Sequence, residues 1–129
     1  MKKTPVSVYM TPHPHSIGRD QKLSTAHELM QKHGIRHLPV LDGGRIVGLV
    51  SLRDLHLIET LPDVSPTEIT VEEAMSSDPY TVPPTMPLAE LASEMAAHKY
   101  GAAVVVEHNK VVGVFTTVDA LRALAEALK

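Results

Sequence analysis

Cysteine and tryptophan are both missing from the 129 residues, and aromatic side chains are limited to one Phe and three Tyr. The lack of cysteine excludes disulfides, thiolate nucleophiles and Cys-based zinc sites. With so few aromatics, the core must be built from Val, Leu, Ile, Ala and Met, and a surface that stacks single-stranded bases is excluded. No excess of positive charge exists either: 12 Lys and Arg face 15 Asp and Glu, a net charge of −3 with His neutral. Such a chain has no basic field to draw in nucleic acid or an anionic membrane. Long apolar runs are also missing. The longest, such as Ala102 to Val106, have the length of a strand rather than of a membrane span. The basic start Met1-Lys2-Lys3-Thr4-Pro5 leads into no apolar segment of the signal-peptide kind, and a cytoplasmic location is expected. No Gly-x-Ser-x-Gly, Walker loop or Gly-x-Gly-x-x-Gly occurs, so no enzymatic activity is expected.

What the sequence does contain is a copy of itself. Residues 6–60 align with 71–125 at a constant offset of 65, without a gap. Identities include Val6/Val71, Met10/Met75, Met30/Met95, Gly48/Gly113 and Asp54/Asp119. Thr11/Ser76, Ser16/Thr81, Ile17/Val82 and Ser51/Thr116 preserve chemistry. Leu23, Ala26, Met30 and His33 fall at helical spacing, as do Leu88, Leu91, Met95 and His98. Apolar strands are expected at Leu38–Leu41 and Arg45–Val50, joined by Asp42-Gly43-Gly44, a hairpin signal. Their counterparts are Val104–Val106 and Lys110–Phe115. A last helix begins near Ser51 or Thr116. The expectation is an α/β (α+β) chain of two tandem β-α-β-β-α units about a pseudo-twofold axis. Residues 1–60 form the first unit, 61–70 a Pro-rich linker, and 71–129 the second.

Three segments of the first copy, in order, carry a family resemblance: Val8-Tyr9-Met10-Thr11-Pro12, Gly34-Ile35-Arg36-His37-Leu38-Pro39-Val40 and Gly48-Leu49-Val50-Ser51-Leu52-Arg53-Asp54-Leu55. The second copy adds Glu73-Ala74-Met75-Ser76 and Gly113-Val114-Phe115-Thr116-Thr117-Val118-Asp119. Over nearly its whole length the chain resembles a tandem pair of cystathionine-β-synthase (CBS) domains, often called a Bateman module. The resemblance implies a regulatory module that senses an adenine nucleotide (AMP, ADP or ATP) in clefts between the two units and signals to a partner protein. It also implies a homodimer, for which the Leu121, Leu124 and Leu128 stripe is a candidate face. S-adenosylmethionine and NADH share the adenosine part and are alternatives. A scaffold that binds no small molecule is the rival reading.

The candidate nucleotide site centres on Ser51-x-x-Asp54 and Thr116-x-x-Asp119. Each lies where a strand gives way to a helix N-terminus, whose free N–H groups suit a phosphate. The hydroxyl can donate to phosphate and the carboxylate can accept from ribose. The same pattern is a capping box, in which the side chains serve the helix itself. By resemblance, Ile17 and Val82, with Ser16 and Thr81 beside them, line an adenine slot, and Leu38, Pro39, Ala102 and Ala103 form its opposite wall. Arg36, His37 and Arg53 would meet phosphate in the first copy, with Thr117 adjoining the second site. The second copy replaces Arg36-His37-Leu38-Pro39 with Gly101-Ala102-Ala103-Val104, so phosphate preference is expected at the first site only. His13, His15, His33 and His37 match no zinc pattern, and no metal is expected. His33 and His98 are expected to be partly buried.

Overall fold

In the computed structural model, which describes residues 3–129, the chain folds around two four-stranded sheets. A 3-10 turn at Val6–Val8 precedes β1 (Thr11–Pro12), β2 (Ile17–Gly18), α1 (Leu23–His33), β3 (His37–Asp42), β4 (Arg45–Ser51) and α2 (Leu52–Glu59). The second copy follows as α3 (Val71–Ala74), β5 (Ser76–Ser77), β6 (Thr81–Val82), α4 (Leu88–His98), β7 (Ala102–Glu107), β8 (Lys110–Thr116) and α5 (Thr117–Ala127). One sheet runs β2-β3-β4-β5, the other β6-β7-β8-β1.

Each sheet therefore takes an edge strand from the other copy. β1 pairs antiparallel with β8, and β5 with β4. The compact units are Met1–Pro14 with Tyr80–Lys129, and His15–Pro79. They divide the chain differently from its repeat, because the short segment opening each copy is bound where the other copy's hairpin offers an unpaired edge. Part of the 61–70 stretch is also held in place. Leu23 N–H donates to Ile69 O at 2.8 Å, Ser24 N–H to Pro66 O at 3.0 Å, and Ile69 packs on the core beneath α1.

The hairpins turn on two residues each. Gly43 and Gly44 have φ of 59° and 82°, and His108 and Asn109 have 53° and 64°, the positive-φ pair of a type I′ turn. The helices α1 and α4 end alike, on a left-handed residue followed by a bond back to Met30 or Met95. That residue is Gly34 after α1 but Lys99, at φ 59°, after α4. A side chain in this region is strained. Lys99→Gly is therefore expected to stabilise the chain by about 0.5–1 kcal/mol, the relief exceeding glycine's extra unfolded-state entropy. Urea denaturation of both proteins checks this, and an unchanged midpoint refutes it.

Two cores result. Leu23, Met30, Leu38, Val40 and Val50 anchor one; Leu88, Met95, Ala103, Val105 and Phe115 anchor the other. The register explains the only phenylalanine. Leu38 lies opposite Val50, and Ala103 lies opposite Phe115. The second copy has shrunk one member of a cross-strand pair and enlarged the other, which keeps the core filled.

Candidate functional site

β4 runs into α2 at Ser51, whose extended backbone makes it the N-cap. Asp54 N–H donates to Ser51 Oγ at 3.1 Å, and Ser51 N–H donates to Asp54 Oδ2 at 2.8 Å. At α5, Asp119 N–H donates to Thr116 Oγ1 at 3.4 Å and Thr116 N–H to Asp119 Oδ2 at 2.9 Å. Both motifs are thus complete capping boxes. Leu52 N–H, the first of α2, is taken by Arg36 O at 2.8 Å. Thr117 N–H is taken by Gly101 O at 3.2 Å. Two of the first three N–H groups of each helix are already used, so the helix end is a smaller anion site than sequence suggests.

The same register assembles the rest. His37 stands opposite Ser51, and Ala102 opposite Thr116. Arg36 therefore adjoins the first motif, where the second has Gly101. Arg36 and Arg53 are exposed and make no ion pair among the described residues. Burial holds the His37 imidazole below its usual pKa, against the pull of Asp54, and the Arg36 charge lowers it further. A lowered value means that the unfolded chain takes up the proton first. The stability that neutral His37 contributes is full above about pH 6.5, the unfolded value, and is lost as pH falls from there through the lower folded-state pKa. His37→Gln should therefore flatten the fall in melting temperature between pH 7.5 and 5.5. An equal fall in both proteins would assign the pH response to other groups.

The two carboxylates differ in their surroundings. Asp119 is only 3% exposed, and its Oδ1 also accepts from Thr11 Oγ1 at 3.3 Å and Arg122 Nη1 at 3.4 Å. Asp54 is half-buried, and no hydrogen bond reaches its Oδ1 among the described residues. Sequence reasoning missed Thr11 and Arg122, because the strand exchange that delivers Thr11 leaves no trace in the spacing of either copy.

Other candidates fall in two groups. Ile17, Leu38, Val82 and Ala103 belong to the cores, and Leu38 and Ala103 are fully buried there. Pro39 and Ala102 are buried but lie outside those clusters, while Ser16, Thr81 and Thr117 are exposed. His33 and His98 are exposed, contrary to expectation. His33 stacks on His15 with ring centroids 3.6 Å apart, and His98 pairs with Glu94 at 3.3 Å. Each lies at the last turn of its helix, where the apolar stripe has left the core. No group of three potential metal ligands comes together among the described residues. Nor is any helix there long and apolar enough to cross a membrane.

A doubled β-α-β-β-α unit with a polar Ser/Thr-x-x-Asp motif at each strand-to-helix junction defines a tandem-module protein. The chain belongs to the CBS domain family, whose model matches residues 6–57 and 71–126. It is 31% identical over 105 residues to an inosine-5′-monophosphate dehydrogenase of Korarchaeum cryptofilum, covering 81% of this chain but 21% of that protein. The chain thus spans about a fifth of that relative's length. Among solved structures, it is similar to the CBS domain pair of protein MJ0100 in complex with 5′-methylthioadenosine and S-adenosyl-L-methionine. The TM-score is 0.87 at 25% identity, covering 96% of this chain and 98% of that one. CBSX2 in complex with AMP matches with a TM-score of 0.81 at 25% identity, covering 97% and 98%.

Proposed function

We propose that this CBS pair is a cytoplasmic, non-catalytic regulatory module that binds an adenine nucleotide and passes the signal to a partner protein. The observation that carries the reading is the half-buried Asp54, with one carboxylate oxygen uncommitted, in a motif adjoined by Arg36 and Arg53, neither of which makes an ion pair among the described residues. A ribose hydroxyl pair would donate to Asp54, and Ser51 Oγ would donate to phosphate. Arg36 would supply charge, since a guanidinium stays protonated and matches a phosphate edge. His37, held neutral, would gain a proton as the anion arrives. The base would lie against Ile17 and Pro39, hydrogen-bonded by backbone near Ser16. In the second copy Thr81, Val82, Ala102, Ala103, Thr116 and Thr117 offer a similar frame in which Gly101 and Val118 stand at the positions of Arg36 and Arg53.

The complexes of MJ0100 and CBSX2 support an adenosine ligand as the class. Among adenosine ligands, the unpaired arginines favour a phosphorylated one over S-adenosylmethionine. Leu121 and Leu124 on α5 and Leu128 at its C-cap are all more than half exposed, which supports a homodimer through that face. Calorimetric titration with AMP, ADP, ATP, S-adenosylmethionine and NADH tests the reading. Micromolar binding of a nucleotide, tighter than of S-adenosylmethionine, is expected. Binding of none by folded protein would reduce both motifs to helix caps and favour a scaffold.

A further inference from the structure

The two motifs share a pattern but not their neighbours. At Asp119, Thr11 from β1 and Arg122 from the next turn of α5 both donate to Oδ1. Thr116 supplies two donors, N–H and Oγ1, to Oδ2. With four donors on two oxygens and 3% exposure, little acceptor capacity remains for a ribose. The repeat places Ser76 and Leu57 at the corresponding positions around Asp54. Leucine has no donor, and no bond from Ser76 to Asp54 forms among the described residues. Thr11 reaches Asp119 from a strand pinned by its pairing with Val114 and by His13 N–H to Val112 O at 3.2 Å. The contact is therefore a fixed part of the sheet edge. The Arg122 side chain is 72% exposed, so its ion pair is weak, and Thr11, at 3.3 Å, is the donor whose position the strand pairing fixes.

We infer that Thr11, helped by Arg122, keeps the Thr116–Asp119 motif closed, so that the chain takes one nucleotide, at Ser51–Asp54. This rests on the nucleotide reading above. Asp119 then serves as a structural carboxylate that ties β1 to α5. The Ser51–Asp54 motif alone combines an open carboxylate with free cations.

Calorimetry with AMP and ATP on the full chain tests the assignment. Wild type should bind one nucleotide per chain, and Asp54→Asn should weaken that binding at least tenfold. Thr11→Val with Arg122→Ala should raise the stoichiometry above one, through a second, weaker event. Thr11→Ser, which keeps the donor, should stay at one. Circular dichroism establishes that each variant is folded. Independently of ligand, Thr11→Val and Asp119→Asn should be non-additive in the unfolding constant by about fivefold. Two equivalent sites in wild type, a stoichiometry fixed at one in the folded double variant, or full additivity overturns the inference while leaving the nucleotide reading intact. Failure of wild type to bind any nucleotide overturns both.

Discussion

Gly48→Ala is expected to destabilise the chain by about 2–3 kcal/mol, and Gly113→Ala by about 1 kcal/mol. Both glycines lie beneath the methionine that immediately precedes the edge strand joining their sheet. A Cβ on Gly48 would meet the Met75 side chain and would lie 2.9 Å from Ser76 O. The three atoms nearest a Cβ on Gly113 all belong to Met10, its Cγ at 2.9 Å, and no backbone atom comes within 3.1 Å. A thioether side chain can swing away. A carbonyl oxygen held by strand pairing cannot, and this makes Gly48 the costlier position. Adding Met10→Ala to Gly113→Ala should remove most of the added strain, whereas Met75→Ala should rescue Gly48→Ala only in part. Urea denaturation of the four single variants and two doubles measures this as a pair of coupling energies. Equal costs at the two glycines, or equal rescue, would show that the carbonyl of Ser76 yields as readily as a side chain.

The same contacts show what a single sequence can and cannot reveal. Met10/Met75 and Gly48/Gly113 are identities of the repeat, visible by eye. Their partnership is crossed, Met10 over Gly113 and Met75 over Gly48, and nothing in the pattern of one copy says so. Periodicity reports which face of an element is buried, and it placed α1, α4 and both hairpins. It does not report whose edge a two-residue strand will join, because such a strand has no face pattern to read. Non-local pairing of this kind decided the compact units, and with them the surroundings of Asp119.

A related gap concerns Ala103. Read along the chain, Gly101-Ala102-Ala103 is the loss of a basic, ligand-facing stretch. Read across the sheet, Ala103 is the small partner of Phe115 in a filled core. The register assigns the residues of the stretch separately. Gly101 and Ala102 remove the cation and the imidazole beside the motif, and Ala103 is set by packing. Alternation along a strand separates them, but only once the register is known. The capping boxes were legible in full, since Ser51-x-x-Asp54 and Thr116-x-x-Asp119 carry their own geometry in four residues. Their difference in free acceptor capacity was not, because it depends on Thr11 and Arg122.

Asp54→Asn is expected to weaken nucleotide binding by about 10–100-fold while leaving the melting temperature nearly unchanged. The carboxylate would accept from ribose as an anion, and hydrogen bonds to charged groups contribute about 1.5–3 kcal/mol each. Asparagine keeps one acceptor, enough to receive the Ser51 N–H that closes the capping box, but loses the charge and the second acceptor. Ser51→Ala separates the roles in the other direction. It removes the cap to Asp54 N–H, which costs about 1 kcal/mol of stability, and with it the proposed donor to phosphate. If Asp54 served the helix alone, Asp54→Asn would leave affinity where it was and only Ser51→Ala would register, as a stability loss. If the carboxylate holds the ligand, Asp54→Asn separates affinity from stability. Thermal melts and titrations on the same preparations distinguish the two results.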